Sequence, residues 1–425
     1  MISIAIVKIW NEKVGTVTWN SETEVSLFQY DANFIKYGLQ LSPIQLPLNE
    51  YKTFSFPELK NSETFKGLPG LLADSLPDSY GSELINMWLT SQGRPEDSLN
   101  PVELLCFVGK RGMGALEFEP ATPKTNPKSS KIEINSLAKI SEYILLGKKN
   151  FRSRLSPNDK KSMQEIIQIG TSAGGAKAKA IIAYNPKTGE VRSGQTDAPD
   201  GFSHWIIKFD GVKIDNKIIK GYGKIEFAYY KMAIDCGIEM NECRLFEENG
   251  KAHFMTKRFD RIGNKKLHMQ SFGALRHFDY LTSGSSYEQI FETMRYLKLT
   301  YPEMEQMYRR MVFNVMAINY DDHAKNFAFR MDVTGKWKLS PAFDLAYVRI
   351  NNFGEPRRSS SINGKRRDIT KLDLWDIARR QGIKRADEII NEISDVVSRW
   401  KHYADSVNIN SQVRDGINKN LVLMK

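Results

Sequence analysis

The chain has 425 residues, 41% hydrophobic and 26% charged, with 61 basic against 50 acidic side chains and a formal charge of +11. That length exceeds what one hydrophobic core usually covers, so two or more subdomains are expected. No apolar run approaches the roughly 20 residues of a membrane span, the three cysteines (Cys106, Cys236, Cys243) form no C-x-x-C pair, and the six histidines show no zinc-ligand spacing. The expectation is a cytoplasmic protein with reduced thiols and no membrane association. The N-terminus, Met1 to Lys8, is too short and too polar beyond Ile6 for a signal peptide and reads as a strand. The basic balance suits anionic partners such as nucleotides, nucleic acid or nucleic-acid-bound proteins, although lysine-rich solvated faces explain most mildly basic chains.

In chain order, Val7 to Trp10 and Val14 to Trp19 read as short strands around an Asn11-Glu12-Lys13 turn. Gly67-Leu68-Pro69-Gly70-Leu71-Leu72-Ala73-Asp74-Ser75-Leu76-Pro77-Asp78 is loop and cap chemistry ahead of a helix from about Tyr80 to Gln92, capped by Asp78 or Ser79. Three prolines between Pro120 and Pro127 mark a linker, followed by a helix over 132–146. The expected organisation is 1–120 as a β-rich subdomain, 121–150 as linker and helix, 151–260 as a nucleotide-binding small lobe, and 261–425 as a catalytic and helical region.

The small lobe has three pieces suited to a triphosphate. Gly170-Thr171-Ser172-Ala173-Gly174-Gly175-Ala176-Lys177-Ala178-Lys179 is a candidate lid, because glycines let backbone amides approach anionic oxygens. It matches neither standard glycine-rich nucleotide fingerprint, and alone it would be a hairpin turn before the strand Ala180–Tyr184. Lys208 ends the apolar strand His204–Asp210, either reaching out to solvent or entering a nucleotide cleft. Glu226 lies in the next helix, about 224–236, either as the partner of Lys208 or as a first-turn residue favoured by the helix dipole. Ala252 to Arg261 then reads as a strand leaving the small lobe, with backbone near Lys257 and Phe259 placed to bond an adenine ring.

The most chemically specific stretch comes next. An apolar helix ending near Ile318 runs into Asn319-Tyr320-Asp321-Asp322-His323-Ala324-Lys325-Asn326-Phe327. Strands over 326–331 and 336–339 follow, joined at Thr334-Gly335, and Ser340-Pro341-Ala342-Phe343-Asp344 closes the unit. Phosphoryl transfer needs an Asp to orient the attacking hydroxyl and accept its proton, and an amide oxygen plus a second carboxylate to hold Mg²⁺ against ATP phosphates. Asp321, Asn326 five residues on, and Asp344 supply those types in that order. Asp322 creates an ambiguity, but only Asp321 has the five-residue step. Further on, Arg357-Arg358-Ser359-Ser360-Ser361 and Lys365-Arg366-Arg367 form a basic segment, either a mobile surface loop or a substrate-facing one. Ile389, Ile390, Ile393, Val396, Val397 and Trp400 then make one apolar helical stripe, more often core than groove.

Taken together, Leu71 to Asp78, the Ser172 loop, Lys208, Arg258-Phe259-Asp260-Arg261, Asp321-x-His323-x-Lys325-Asn326 and Pro341-x-Phe343-Asp344 resemble the HipA family of toxin Ser/Thr kinases from bacterial type II toxin–antitoxin modules. The resemblance covers nearly the whole chain. It implies an α+β, two-lobed, protein-kinase-like (HipA-like) fold with a small β-rich N-terminal subdomain and an all-helical C-terminal region. It implies Asp321 as the catalytic Asp, Asn326 and Asp344 as Mg²⁺ ligands, and Lys208 on the ATP phosphates. Lys257 and Phe259 fall at the adenine hinge, His323 braces the loop and Lys325 neutralises phosphate charge. Ser172, with Gly174 and Gly175, falls in the loop where family members autophosphorylate and switch off. The implied partners are a helix-turn-helix, HipB-like antitoxin, operator DNA through that antitoxin, and an aminoacyl-tRNA synthetase as substrate. Lys177 departs from the Gln usual five residues after the autophosphorylated Ser, and Asp322 from the small residue often found beside the catalytic Asp. A small-molecule kinase of the same fold and a catalytically silent, DNA-associated regulatory partner stay open as alternatives.

Overall fold

The computed structural model describes residues 2–121, 131–145, 165–167, 169–170, 177–195, 197–214, 217–281, 284–349 and 355–424. Ser172, Gly174 and Gly175, and most of the proline-rich linker, lie outside the described residues. The chain divides into two compact units, one of Met1–Gly223 with Arg244–Met269 and the other of Lys224–Cys243 with Gln270–Lys425. Among the described residues no helix is long and apolar enough to cross a membrane.

The first unit holds two five-stranded sheets. The N-terminal sheet runs β4-β3-β2-β1-β5, from β1 (Ile4–Ile9), β2 (Glu12–Asn20), β3 (Val25–Tyr30), β4 (Thr53–Phe54) and β5 (Leu116–Glu119). Alternation sets its inner face: Ala5, Val7 and Ile9 are buried while Ile4 and Ile6 are exposed. The first turn is tighter than the sequence suggests. Trp10 and Asn11 form it, with φ of 48° and 69°, a two-residue turn whose positive φ values match the twist of the flanking strands. The helix Pro101–Val108 is buried throughout and is held at its start by a reciprocal Asn100–Glu103 capping box.

The second sheet runs β11-β12-β8-β6-β7, from β6 (Lys179–Tyr184), β7 (Val191–Ser193), β8 (Ser203–Lys208), β11 (Cys243–Glu248) and β12 (Lys251–Lys257), with separate hairpins of β9 (Val212–Ile214) with β10 (Lys217–Ile219) and of β13 (Arg261–Ile262) with β14 (Lys265–Lys266). Five of the six residues of β6 are buried, as a strand covered on both faces requires. Its first residue, Lys179, pairs at 2.8 Å with Asp78, both side chains almost fully buried. Asp78 Oδ1 also accepts the Gly81 N–H at 2.7 Å and so caps the helix Ser79–Ser91. One carboxylate therefore fixes both the helix start and the first residue of β6.

In the second unit the helix Tyr301–Met316 is the axis, buried almost continuously from Met307. Thr300 and Glu303 cap it, and Glu303 Oε1 also accepts the Leu339 N–H at 2.9 Å. A short sheet lies beside it: β15 (His268–Ser271), β16 (Ala328–Met331) and β17 (Trp337–Leu339). Ile389, Ile390, Ile393, Val396 and Val397 are buried along the helix Ala386–Ser398, so the stripe is core. The helix that begins at Tyr222 docks here through Tyr229, whose hydroxyl donates to the Ala317 carbonyl at 2.6 Å. Tyr229→Phe is expected to lower stability by about 1–3 kcal/mol, because it leaves a buried acceptor unpaired. A urea midpoint at the wild-type value would refute that role for the hydroxyl.

Candidate active site

Between the end of the axial helix and β16 the backbone makes an abrupt exit. Ile318 adopts a left-handed φ of 55°, which a β-branched residue pays for with about 1–3 kcal/mol of strain. The turn holds because the Asn319 N–H reaches Asn314 O at 3.1 Å and the Tyr320 N–H reaches Val348 O at 2.8 Å. The chain then presents Asp321 and Asp322 in opposite environments.

The Asp321 side chain is 43% exposed. Its carbonyl accepts the Asn326 Nδ2 at 2.7 Å, which closes the loop across the five-residue step. Residues 324–326 form a single 3₁₀ turn, so Asn326 ends the loop and does not begin the strand as the alternation implied. With the amide nitrogen committed to Asp321, Oδ1 is the remaining polar end of Asn326, and oxygen is the donor a hard divalent cation takes. This donor set fits Mg²⁺.

His323 lies within this loop. Its Nδ1 accepts the Lys325 N–H at 3.2 Å, which puts the ring proton on Nε2. Nε2 stands 3.7 Å from Asp321 Oδ1. Burial pulls the imidazole down to about 4, against the opposing charge of Asp344. At neutral pH the ring is therefore uncharged, and the 3.7 Å approach is a contact and not an ion pair. Asp344 thus acts on the imidazole through its charge, while Asp321 lies in contact with it at Nε2. Tyr280 packs on the His323 ring at 4.8 Å, and the Lys325 ammonium lies 5.5 Å from the Tyr280 ring centre.

Asp344 has a φ of 56°, a left-handed conformation that Asp tolerates better than most residues. The strand end leading to it is clamped on two sides. Arg310 Nη2 donates to Ser340 O at 2.6 Å, and the Ala342 N–H donates to Glu239 O at 2.8 Å. Arg310 is buried, which lowers its pKa to about 10, so it stays cationic at neutral pH.

Asp322 is the opposite of its neighbour. Its side chain is fully buried and accepts from the Tyr287 hydroxyl at 3.0 Å, Arg358 Nη1 at 3.2 Å, and the Ser359 and Ser360 amides at 3.0 and 3.1 Å. Burial pushes its carboxyl pKa up, and Arg358 with the Ser360 amide pulls it back. Every side of this carboxylate is engaged in the interior, which leaves Asp321 as the more exposed of the two. Part of the basic segment is accordingly not a free surface loop: Arg358 is buried and Arg357 exposed.

The expected site residues divide between the units. Asp321, His323, Lys325, Asn326, Asp344 and Glu226 belong to the second, and Lys208, Lys257 and Phe259 to the first. Glu226 is buried one turn into its helix, which begins at Tyr222, close to the expected start. Lys208 ends β8, with its ammonium 5.6 Å from the Phe254 ring centre. Lys257 ends β12 and is exposed, while Phe259 is half-buried. Lys177, the departure from the family pattern, stacks its ammonium on Tyr222 at 3.8 Å. Sequence reasoning missed Arg310, Asn314 and Arg358. The signal was present in Arg310 and Asn314, polar residues inside an otherwise apolar helical run.

Residues 5–119 match the HipA N-terminal domain and residues 171–400 the HipA-like C-terminal domain. The structure is similar to HipA of Shewanella oneidensis MR-1, solved with HipB and operator DNA as a toxin–antitoxin system, with a TM-score of 0.65 at 17% identity over 98% of this chain and 94% of that one. CtkA, a proinflammatory kinase of Helicobacter pylori, aligns with a TM-score of only 0.35 at 13% identity, over 52% of this chain and 85% of that one, too weak to bear on the fold. No curated protein matches the chain. Two domain matches in N- to C-terminal order, one of them covering over half the sequence, and a shared α+β fold with a β-rich N-terminal region establish that this chain belongs to the HipA family.

Proposed function

We propose that the chain is a Mg²⁺–ATP-dependent protein Ser/Thr kinase acting as a toxin. The observation that supports this reading is that Asp321 and Asn326 share one loop with His323, the first carboxylate outward and the amide oxygen available, and that the charge of Asp344 reaches the same imidazole. In the reaction Asp321 orients the attacking hydroxyl and takes its proton. His323, neutral and braced by the Lys325 amide, keeps the loop in register, and Lys325 adds positive charge where phosphate charge develops. Asn326 and Asp344 are the residues that would hold Mg²⁺; bound there, the ion neutralises charge on the triphosphate. Among the described residues no group of three or more His, Cys, Asp or Glu forms a metal cage. Two protein ligands suit Mg²⁺, which keeps water and phosphate oxygens in its shell. Lys208, with Glu226 as its partner, is proposed for the phosphates, and the backbone near Lys257 and Phe259 for adenine.

The proposed substrate is an aminoacyl-tRNA synthetase, whose modification would halt translation in the cytoplasm. The proposed partner is a HipB-like helix-turn-helix antitoxin, since the similar S. oneidensis HipA was solved with HipB and operator DNA. Phosphoproteomics after brief induction tests the reading, with Asp321→Asn as control. A phosphopeptide that appears only with wild type supports it, whereas identical phosphoproteomes refute it. Autophosphorylation at Ser172 is proposed to switch the enzyme off. Ser172→Ala is then expected to hold its activity through prolonged incubation with ATP while wild type decays. Equal decay in the two proteins would sink self-inactivation.

A further inference from the structure

Asp321 and Asp322 are adjacent, yet one carboxylate faces outward and the other is sealed in the interior. Burying the second demands compensation, because taking a carboxylate and a guanidinium out of water costs several kcal/mol per ion. Apart from the Tyr287 hydroxyl, the compensation comes from the segment that follows Asp344. Arg358 pairs with Asp322, and its Nη2 donates to Asn314 O at 3.1 Å. The Ser360 hydroxyl donates to the Asp322 carbonyl at 2.5 Å, and the Ser359 N–H and hydroxyl both reach Tyr320 O, at 2.9 and 3.0 Å. Asn314 Nδ2 donates to the Tyr287 hydroxyl at 3.0 Å and Asn319 Nδ2 to Asn314 Oδ1 at 2.9 Å, so the loop entry joins the same network. Neither Asp322 nor Arg358 hydrogen-bonds Asn326 or Asp344. The network holds the peptide on either side of Asp321 and leaves the side chain of Asp321 alone.

We propose that Asp322 and Arg358 are a clasp: positioning residues that lock residues 358–360 onto the catalytic loop and thereby set the aim of Asp321. The proposal rests on the kinase reading of Asp321. A misplacement of the base by about 1 Å is enough to cost on the order of 10²-fold in rate. The clasp therefore predicts a loss in kcat with little change in KM for ATP.

The test uses the full chain, labelled ATP and dephosphorylated casein as acceptor. Asp322→Asn and Arg358→Met are expected to lower kcat by roughly 10- to 100-fold, with KM for ATP within about twofold. Arg358→Lys, which keeps the charge, is expected to fall between Arg358→Met and wild type. The double variant Asp322→Asn/Arg358→Met should be no worse than either single one, as members of one unit are non-additive. Hydrogen exchange supplies a readout independent of catalysis. In Asp322→Ala the amides of 359–361 should exchange faster while those of the helix Tyr301–Met316 do not. Wild-type kcat in folded Asp322→Asn and Arg358→Met overturns the clasp. So does activity that falls only in proportion to unfolding, with that helix exchanging faster as well. A wild-type protein that transfers no phosphate refutes the kinase reading instead, and the exchange experiment still decides whether the clasp exists.

Discussion

Asp321→Asn is expected to lower phosphoryl transfer by about 10²- to 10⁴-fold, the usual loss when a general base is removed, and to relieve growth arrest on induction. The substitution is nearly isosteric and falls on a side chain that is 43% exposed, so no buried charge is stranded. The loop closure is preserved too, because Asn326 bonds the main-chain carbonyl of residue 321 and not its carboxylate. The variant should therefore unfold at the wild-type temperature and still bind ATP. That combination, a dead but folded and nucleotide-binding protein, separates a lost base from a lost fold. Calorimetry with ATP and Mg²⁺ checks the second half. Full activity in Asp321→Asn would remove the carboxylate from the mechanism. A large drop in thermal midpoint would show that the geometry around the Asn326 bond depends on the charge.

The order of helix, polar turn and hairpin around the loop was legible in the sequence. Five residues separate Asp321 from Asn326, and that step alone is what lets an amide fold back on the Asp321 carbonyl. The hairpin at Thr334-Gly335 and the apolar stripe through Val397 were legible because strand and helix periods are written in side-chain polarity. What could not be read is the direction a side chain takes at a bend. Nothing in Asp321-Asp322 says which carboxylate turns inward; the answer comes from Arg358, Tyr287 and two serine amides distant along the chain. The left-handed conformations at Ile318 and Asp344 are equally silent, because tertiary bonds impose them on residues that do not favour them. Arg258-Phe259-Asp260-Arg261 is a third case. It reads as the end of a strand, but the strand stops at Lys257 and the motif turns inward.

That motif carries the largest expected effect on stability. Asp260 is fully buried and takes a two-pronged bond from Arg258, Nε to Oδ1 at 2.9 Å and Nη2 to Oδ2 at 2.7 Å. Oδ2 also accepts from Arg261 Nη1 and from the Gly114 N–H, each at 2.7 Å. The two guanidiniums continue to the Gly112 and Gly114 carbonyls, at 3.0–3.3 Å. One carboxylate thus ties the 112–114 loop of the N-terminal region to the end of β12, both within the first unit. Removing it strands two buried cations, so Asp260→Ala is expected to cost at least about 3–5 kcal/mol. Burial alone would raise the Asp260 pKa, but Arg258 and Arg261 outweigh it and hold the group well below the usual carboxylate range. A depressed folded-state pKa contributes stability that is complete above the unfolded value of about 3.9 and is lost as pH falls toward the folded one. Urea unfolding of wild type and Asp260→Ala should therefore differ most at neutral pH and converge below about pH 4. Hydrogen exchange of residues 112–118 assigns the loss to this unit, since a two-unit chain need not unfold in one step. A neutral-pH difference under about 1 kcal/mol would mean the two arginines find other acceptors, and the triad would then not be what joins the loop to the strand.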